Sequence, residues 1–272
     1  MTDHLVFSHA NGFPAPVYRQ LLERLGQRFS VSSVPRFGHD PAHPVGPGWH
    51  ALRKQLVEHV QALEAKTPVW LVGHSLGGYL SVLAASVLGK RVAGLVLVDS
   101  PLIDGMAATV VRWGRCTGLD RLVMPLQQTL RRRTRWPDIG TAYAHFAAKP
   151  SFAGWDPTVL LDYVAHGTVL AAEGERELWF QRDIEYSIYR TLPTRSVAAA
   201  ARALSMPVGF VGGTASREVR HIGMRATRRV VGSNLRWLQG GGHLFPMERP
   251  AESERHIVGL IDGFQAARAQ AA

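Results

Sequence analysis

The stretch that most constrains this 272-residue chain is Val69–Gly78, with the sequence VWLVGHSLGG. Its apolar run predicts a buried strand, and the apolar residues at helical spacing after Ser75 predict a helix. Gly73 and Gly77 lie two residues either side of Ser75, where a side chain would collide with neighbouring backbone. This G-x-S-x-G pattern between a strand and a helix indicates a nucleophile elbow, which lifts a serine hydroxyl clear of a sheet. The alternative is a glycine-rich turn with a solvated serine.

The length of 272 residues predicts one globular catalytic domain with an insertion. The net charge of +10 is spread along the chain without a basic tail, and no aromatic-basic repeat accompanies it, which argues against a nucleic-acid partner. Cys116 is the single cysteine and therefore excludes an internal disulfide. Because the sequence has no N-terminal leader and no apolar run of about 20 residues, we expect a cytoplasmic protein without stable membrane insertion.

The order of predicted elements indicates an α/β fold. Strands alternate with helices up to residue 100 and again from residue 206, with the strands expected at 4–9, 29–34, 69–72, 92–98, 207–211 and 235–239. This alternation predicts a doubly wound, mostly parallel sheet, whose sites lie at the carboxyl ends of its strands. We therefore expect a core domain from 1–100 and 206–272.

The intervening residues 101–205 predict a helical insertion without a convincing strand. Its helices are expected at 105–114, 119–131, 138–147 and 157–173. After it, a single helix is expected over 217–231 and a closing helix over 250–268.

A serine nucleophile needs a base within hydrogen-bond reach, and an imidazole has the best-matched pKa. His243 is the candidate, because it follows the last predicted strand after three glycines that let the chain loop back over the elbow. The alternative is a histidine of a surface loop. His74 adjoins the serine but is expected to point elsewhere at so sharp a turn, and His9 and His39 are expected to be structural or to line a pocket.

An attacked carbonyl develops an oxyanion, which needs two preorganised donors. The residue after the nucleophile supplies one from its backbone, which here is Leu76. The loop after the first strand offers the backbone N–H of Phe13, with Asn11 as a helper. The alternative for this loop is an ordinary Asn-Gly turn.

Together these motifs resemble the α/β-hydrolase superfamily, in its serine-nucleophile version with a helical cap. The matching segments are His9–Pro14, Gly73–Gly77, Val96–Asp99 and Gly241–Phe245. The resemblance implies hydrolysis of an ester, thioester or amide-like bond through an acyl-serine, or less often of a carbon–carbon bond, without cofactor or metal. Haloalkane dehalogenases and epoxide hydrolases carry an aspartate at the elbow, so Ser75 argues against both.

The chain departs from the superfamily pattern in two places. The usual antiparallel strand pair at the amino end is missing, which predicts a shortened sheet. The aspartate expected after the penultimate strand is also missing, because this segment reads GGTASRE from Gly212 to Glu218.

Two residues are candidates for the acid that orients His243. Asp99 ends a predicted strand at a position where capped relatives place their acid. Glu218 lies near the usual position but falls in the first turn of a helix with Ser216 as N-cap, where the helix dipole already explains a glutamate. We expect Asp99 to be the acid and keep Glu218 as the alternative.

The sequence therefore predicts a serine hydrolase of the carboxylesterase or lipase-like type, acting on a small-molecule acyl ester or thioester. The alternative, motivated by the missing acid, is a catalytically weak hydrolase-fold protein that binds a ligand or a partner. Asn11, Phe146 and Trp155 are candidate pocket residues, although aromatic residues at helical spacing more often form core. The arginine-rich run Arg131–Arg135 is either a docking site for an anionic group or a solvated helix end.

Overall fold

The computed structural model describes residues 2–64, 67–105 and 126–271. Its strands are β1 (His4–Ser8), β2 (Ser30–Ser33), β3 (Val69–His74), β4 (Val92–Val98), β5 (Arg135–Trp136), β6 (Thr168–Leu170), β7 (Arg176–Leu178), β8 (Val208–Gly213) and β9 (Leu235–Leu238). A six-stranded sheet has the order β2-β1-β3-β4-β8-β9, and every neighbouring pair in it is parallel. The predicted parallel α/β fold is confirmed.

Helices connect these strands, and further helices lie in the described part of the segment between β4 and β8. They are α1 (Arg19–Gly26), α2 (His50–Gln61), α3 (Leu76–Leu88), α4 (Leu126–Leu130), α5 (Ile139–Ala147), α6 (Pro157–Gly167), α7 (Arg182–Arg190), α8 (Thr194–Ala203), α9 (Arg217–Ile222), α10 (Arg225–Val231), α11 (Phe245–Glu248) and α12 (Pro250–Ala271). Short 3-10 helices cover Ala15–Tyr18, Pro47–Trp49, Gly89–Arg91, Pro150–Phe152 and Ala172–Gly174. In the part of the chain described here, no helix is long and apolar enough to cross a membrane.

The central strands are buried on both faces, because successive side chains of a strand point to opposite sides of the sheet. On β4, Leu95 and Leu97 face one apolar cluster, while Val96 and Val98 face the other. Helices α2, α3 and α8 pack on the first face, and α1 and α12 pack on the second. Burial on both faces explains why β4 has an almost unbroken apolar sequence. Because β3, β4 and β8 are parallel neighbours in the sheet, their carboxyl ends lie side by side.

The segment between β4 and β8 differs from the expectation that it lacks strands. Strands β5, β6 and β7 form a small antiparallel sheet in the order β5-β7-β6. Each has only two or three residues, which is too short for an alternating pattern to be recognised. One of them, β6, begins where the predicted helix 157–173 was expected to continue past Gly167.

Two further helix predictions have a different outcome. The single helix expected over 217–231 is divided into α9 and α10, because Gly223 adopts a φ of 77° that no right-handed helix contains. The predicted helix 105–114 lies almost wholly outside the described residues, as do Cys116 and most of the predicted helix 119–131. The described end of the latter is α4.

Candidate active site

Ser75 is the residue at the corner between β3 and α3, and it has φ 53° and ψ −116°. This strained conformation depends on the two glycines beside it. A Cβ on Gly73 would overlap the backbone carbonyl of Gly77, and a Cβ on Gly77 would overlap the carbonyl of Ser8 on β1. Both positions therefore require glycine, as the sequence pattern predicts for a nucleophile elbow.

His243 lies in the loop between β9 and α11, and its Nε2 is 3.0 Å from the Oγ of Ser75. Glycines allow this loop to turn back over the sheet. Gly240 has a φ of 69°, and Gly213 at the end of β8 approaches the loop so closely that a Cβ on it would overlap the carbonyl of Gly241. The imidazole therefore reaches a serine that is 168 residues earlier in the chain.

Asp99 follows the last residue of β4, and its side chain has no exposed surface. Its Oδ2 lies 2.6 Å from His243 Nδ1 and also accepts a hydrogen bond of 2.6 Å from the hydroxyl of Ser216. Its Oδ1 accepts from the backbone N–H of Gly213 at 3.0 Å. These bonds fix the carboxylate on Nδ1, so that Nδ1 carries the proton and Nε2 is free to accept one from Ser75.

Glu218 lies near the same histidine but at a longer distance. Its Oε2 is 3.6 Å from His243 Nδ1, and its side chain is 43 % exposed. It stands in the first turn of α9, where Ser216 caps the helix by accepting a hydrogen bond of 3.2 Å from the N–H of Val219. The helix cap that the sequence predicts is confirmed.

The candidate oxyanion donors lie on two neighbouring segments. Leu76 is the first residue of α3, so its N–H has no acceptor within the helix. The N–H of Phe13 donates to the carbonyl of Ala10 at 3.1 Å and closes a turn. Beside it, the side-chain amide of Asn11 donates to the backbone carbonyl of Glu185 at 3.0 Å, which ties this turn to α7.

A sequence profile of the alpha/beta hydrolase family matches residues 5–255. This chain belongs to the alpha/beta hydrolase family. No curated protein matches the sequence significantly. Among solved structures, the chain is similar to E-2-(acetamidomethylene)succinate hydrolase, with 21 % identity, 96 % of this chain and 92 % of the other covered, and a TM-score of 0.75.

Other solved structures share the fold at similar distance. The thioesterase domain from the curacin biosynthetic pathway has 20 % identity, coverage of 95 % and 91 %, and a TM-score of 0.71. An esterase of Mycobacterium tuberculosis has 19 % identity, coverage of 96 % and 86 %, and a TM-score of 0.69. At such identities the likeness extends to the fold alone.

The electrostatic surroundings of His243 favour its protonated form. Burial alone lowers the pKa of the imidazole, but the hydrogen bond to Asp99 and the negative charges of Glu218, Asp99 and Glu248 outweigh burial and raise it. An imidazolium formed during a reaction is therefore stabilised where it forms.

His74 links the two loops of the site through hydrogen bonds that sequence reasoning missed. Its Nε2 lies 2.9 Å from the backbone carbonyl of His243, which requires a proton on Nε2, and its Nδ1 accepts from the hydroxyl of Tyr18 at 2.7 Å. The same hydroxyl accepts from the N–H of Ala10 at 3.1 Å. Burial holds the pKa of His74 well below its ordinary value, so the ring stays neutral and this chain of bonds persists.

His9 and His39 hold the loop after β2. Nε2 of His9 accepts from the N–H of Phe37 at 3.0 Å, and Nε2 of His39 accepts from the N–H of Gln181 at 3.0 Å. Burial, as the largest cause, lowers the pKa of each to about 4. Both are thus neutral hydrogen-bond acceptors in the structure, in agreement with the structural alternative.

Phe146 and Trp155 belong to an aromatic group that includes Phe152 and Tyr163. The ring centroids of Phe146 and Tyr163 are 4.9 Å apart, and those of Trp155 and Tyr163 are 5.7 Å apart. Tyr163 in turn lies 5.6 Å from the ring of Phe13 on the candidate oxyanion loop. Phe146 has no exposed surface and packs as core, and Trp155 and Tyr163 are also buried.

Within residues 2–64, 67–105 and 126–271, the histidine and its two carboxylates also form the group with metal-ligand spacing. The ligand atoms of Asp99, Glu218 and His243 lie within 4.8 Å of one another. Because Nδ1 of His243 is already bonded to Asp99, an ion bound there would displace the bond that orients the imidazole.

Proposed function

We propose that the protein is a serine hydrolase that cleaves a small or medium acyl ester or thioester through an acyl-serine intermediate. The observation that carries the proposal is the unbroken series of contacts from Ser75 Oγ to His243 Nε2, at 3.0 Å, and from His243 Nδ1 to Asp99 Oδ2, at 2.6 Å. A nucleophile, a base and an acid in this order can activate a serine hydroxyl at neutral pH.

In acylation, His243 Nε2 takes the proton of Ser75 as Oγ attacks the carbonyl carbon of the ester. The tetrahedral intermediate collapses when the imidazolium gives that proton to the leaving group, which is the oxygen of an alcohol or the sulfur of a thiol. The acyl group then remains on Oγ. A water molecule then attacks the acyl-serine, His243 takes its proton, and the acid is released as Oγ regains a hydrogen.

Asp99 serves as the orienting acid in this proposal. It keeps the proton of His243 on Nδ1 and stabilises the imidazolium without itself becoming protonated. Its complete burial and its bonds to Ser216 and Gly213 favour this role over the half-exposed Glu218.

The N–H groups of Leu76 and Phe13 are proposed to bind the oxyanion. Leu76 offers a free helix N-terminus, where the helix dipole also favours negative charge. The N–H of Phe13 is shared with the turn bond to Ala10, so it contributes as a three-centre donor when substrate is bound. Asn11 supports this loop from α7.

Residues 101–205 are proposed to form a cap over the core domain of 1–100 and 206–272. Two cap contacts support this. The backbone of Glu185 holds Asn11, and Phe180 packs against His39 with ring centroids 4.4 Å apart. A cap in this position limits the access of bulk water to the site and shapes the acyl pocket.

The similar structures include a succinate-derivative hydrolase, a thioesterase and an esterase. This likeness supports the proposal that the chain transfers an acyl group to water. The binding-only alternative depended on the absence of an acid after β8. Asp99 contacts His243 from the end of β4, so the missing residue after β8 no longer favours the binding-only alternative.

The test is steady-state hydrolysis of p-nitrophenyl esters of graded acyl length. We expect turnover by the wild type and a loss of about 10⁴-fold or more in kcat for Ser75→Ala, with Ser151→Ala, an exposed serine, as the matched control. A folded protein that binds these esters without turnover would instead support the binding-only function.

A further inference from the structure

The arginine-rich run is not uniformly solvated. Arg131, Arg133 and Arg135 are exposed, whereas the side chain of Arg132 is only 15 % exposed. Arg132 points inward between α4 and β5, on the side of the cap that carries Tyr163 and Glu185. A buried charge needs hydrogen-bond or ion-pair partners. The donor groups of Arg132 that these partners do not use are the ones that a ligand could bind.

Among the residues that the structure describes, the partners of Arg132 occupy Nη1 and hold Nη2 only by a long contact. Nη1 donates to Glu185 Oε2 at 2.6 Å, and Nη2 makes a long contact of 3.4 Å with the hydroxyl of Tyr163. Nε donates to no residue that the structure describes. The Nε–Nη2 edge is the fork that fits a carboxylate with two parallel hydrogen bonds.

The two partners of Arg132 pack on the candidate oxyanion loop. The carboxylate of Glu185 packs on Gly12, where an added Cβ would be only 2.9 Å from Glu185 Cδ. The ring of Tyr163 packs on Phe13, the residue after Gly12. Both partners of Arg132 therefore touch the loop that would hold the acyl carbonyl.

A second cation, Lys149, lies near Arg132. After burial, the positive charge of Arg132 is the further cause that lowers the pKa of Lys149, and it also contributes to the lowered pKa of His145. Lys149 Nζ lies over the ring of Phe146 at 4.9 Å, and His145 Nε2 is buried without a hydrogen-bond partner in the described ranges. Glu185 is the one carboxylate bonded to Arg132 among the described residues, and Lys149 is a second cation near Arg132.

We propose that Arg132 binds a carboxylate on the acyl part of the substrate, so that the preferred substrates are esters or thioesters in which a short acyl chain ends in a free carboxylate. Glu185 holds the guanidinium from the Nη1 side, and Lys149 adds a second positive charge. This inference rests on the proposed acyl-serine function and narrows its substrate class.

The experiment compares two 4-methylumbelliferyl esters, the monoanionic hemiglutarate and the neutral hexanoate of similar length. In the wild type we expect a higher kcat/KM for the hemiglutarate. In Arg132→Gln we expect kcat/KM for the hemiglutarate to fall about 10- to 100-fold, the range for a lost charged hydrogen bond, and kcat/KM for the hexanoate to change little. Arg133→Gln, an exposed member of the same run, is the matched control.

A second variant separates recognition by Arg132 from repulsion by an unpaired Glu185. In Arg132→Gln/Glu185→Gln the repelling charge is gone, so a persistent selective loss for the hemiglutarate supports the proposal. Recovery to the wild-type rate in this double variant would overturn it, as would equal losses for the two esters. If Arg132→Gln does not fold, Arg132→Lys, which keeps the charge but loses the fork, should show a smaller selective loss.

Failure of this inference is distinguishable from failure of the proposed function. If the wild type hydrolyses the hexanoate but shows no preference for the hemiglutarate, the serine hydrolase stands and the carboxylate site is refuted. If neither ester is hydrolysed and a fluorophosphonate does not label Ser75, the proposed function itself is refuted.

Discussion

Oδ2 of Asp99 lies 2.6 Å from Nδ1 of His243, whereas Oε2 of Glu218 lies 3.6 Å from the same nitrogen. The two carboxylates approach one proton from different elements, Asp99 from the end of β4 and Glu218 from α9. Since the contact of Asp99 is also shielded from water, it is the stronger electrostatic partner.

Isosteric changes of these carboxylates should have unequal effects. Asp99→Asn should lower kcat by about 10⁴-fold, because the amide favours the wrong tautomer of His243, while Glu218→Gln should retain most activity. Stopped-flow or steady-state ester hydrolysis measures both. The reverse ranking would assign the role to Glu218, and little loss in either variant would mean that Ser75 and His243 work as a dyad.

The pH dependence of kcat/KM should reflect the raised pKa of His243. The base must be neutral to accept the serine proton, so kcat/KM should rise with pH through an apparent pKa above the ordinary value of about 6.5. Glu218→Gln removes one negative charge that raises this pKa, and should move the acidic limb to lower pH without a large change in the plateau. Glu64→Gln, an exposed control, should leave the limb in place.

Stability should fall in acid because His9 is buried in its neutral form. Burial lowers its pKa to about 4 in the folded protein. Between that value and about 6.5 the unfolded chain binds the proton more readily, so stability is complete above this window and is lost as pH falls through it, by up to about 3 kcal/mol. Urea unfolding from pH 7 to pH 4.5 should show a slope that His9→Asn reduces by about one proton.

Two variants complete that measurement. His50→Asn, at an exposed histidine, is the matched control. An unaltered slope in His9→Asn would contradict the assignment of His9 as a neutral acceptor for Phe37.

The elbow should tolerate no side chain at Gly77, because a Cβ there overlaps the backbone of Ser8. Gly77→Ala should lower the melting temperature and abolish ester hydrolysis. Gly259→Ala is the matched control, since a Cβ at this position of α12 meets nothing within 4 Å. It should stabilise the helix by about 1 kcal/mol. A Gly77→Ala protein with normal activity would contradict the close approach of α3 to β1.

The sequence predicts the parts of the fold that depend on local chemistry. The apolar run of β4 is observed with the predicted bounds Val92–Val98, because a strand buried on both faces has an unmistakable composition. The tight turn at Ser75 and the approach of His243 to it could be predicted from glycines, because a side chain at Gly73, Gly77 or Gly213 would overlap neighbouring backbone. Asp99 could be placed near the histidine because the ends of neighbouring parallel strands meet at one edge.

Other features depend on contacts that are distant in sequence. The bond between Tyr18 and His74 joins residues 56 positions apart, and no local pattern marks it. The division of the predicted helix 217–231 at Gly223 was missed because an isolated glycine in a helical pattern is often tolerated. The inward turn of Arg132 depends on Glu185, 53 residues later, and the sequence alone shows only a run of like charges.

Ser75 is proposed to be a nucleophile that His243 activates. Incubation with a fluorophosphonate, followed by peptide mapping in a mass spectrometer, tests this claim without knowledge of the substrate. We expect a covalent adduct on Ser75, formed far more slowly in His243→Gln and absent in Ser75→Ala. A folded wild-type protein that stays unlabelled, or that carries the adduct on another residue, would contradict it.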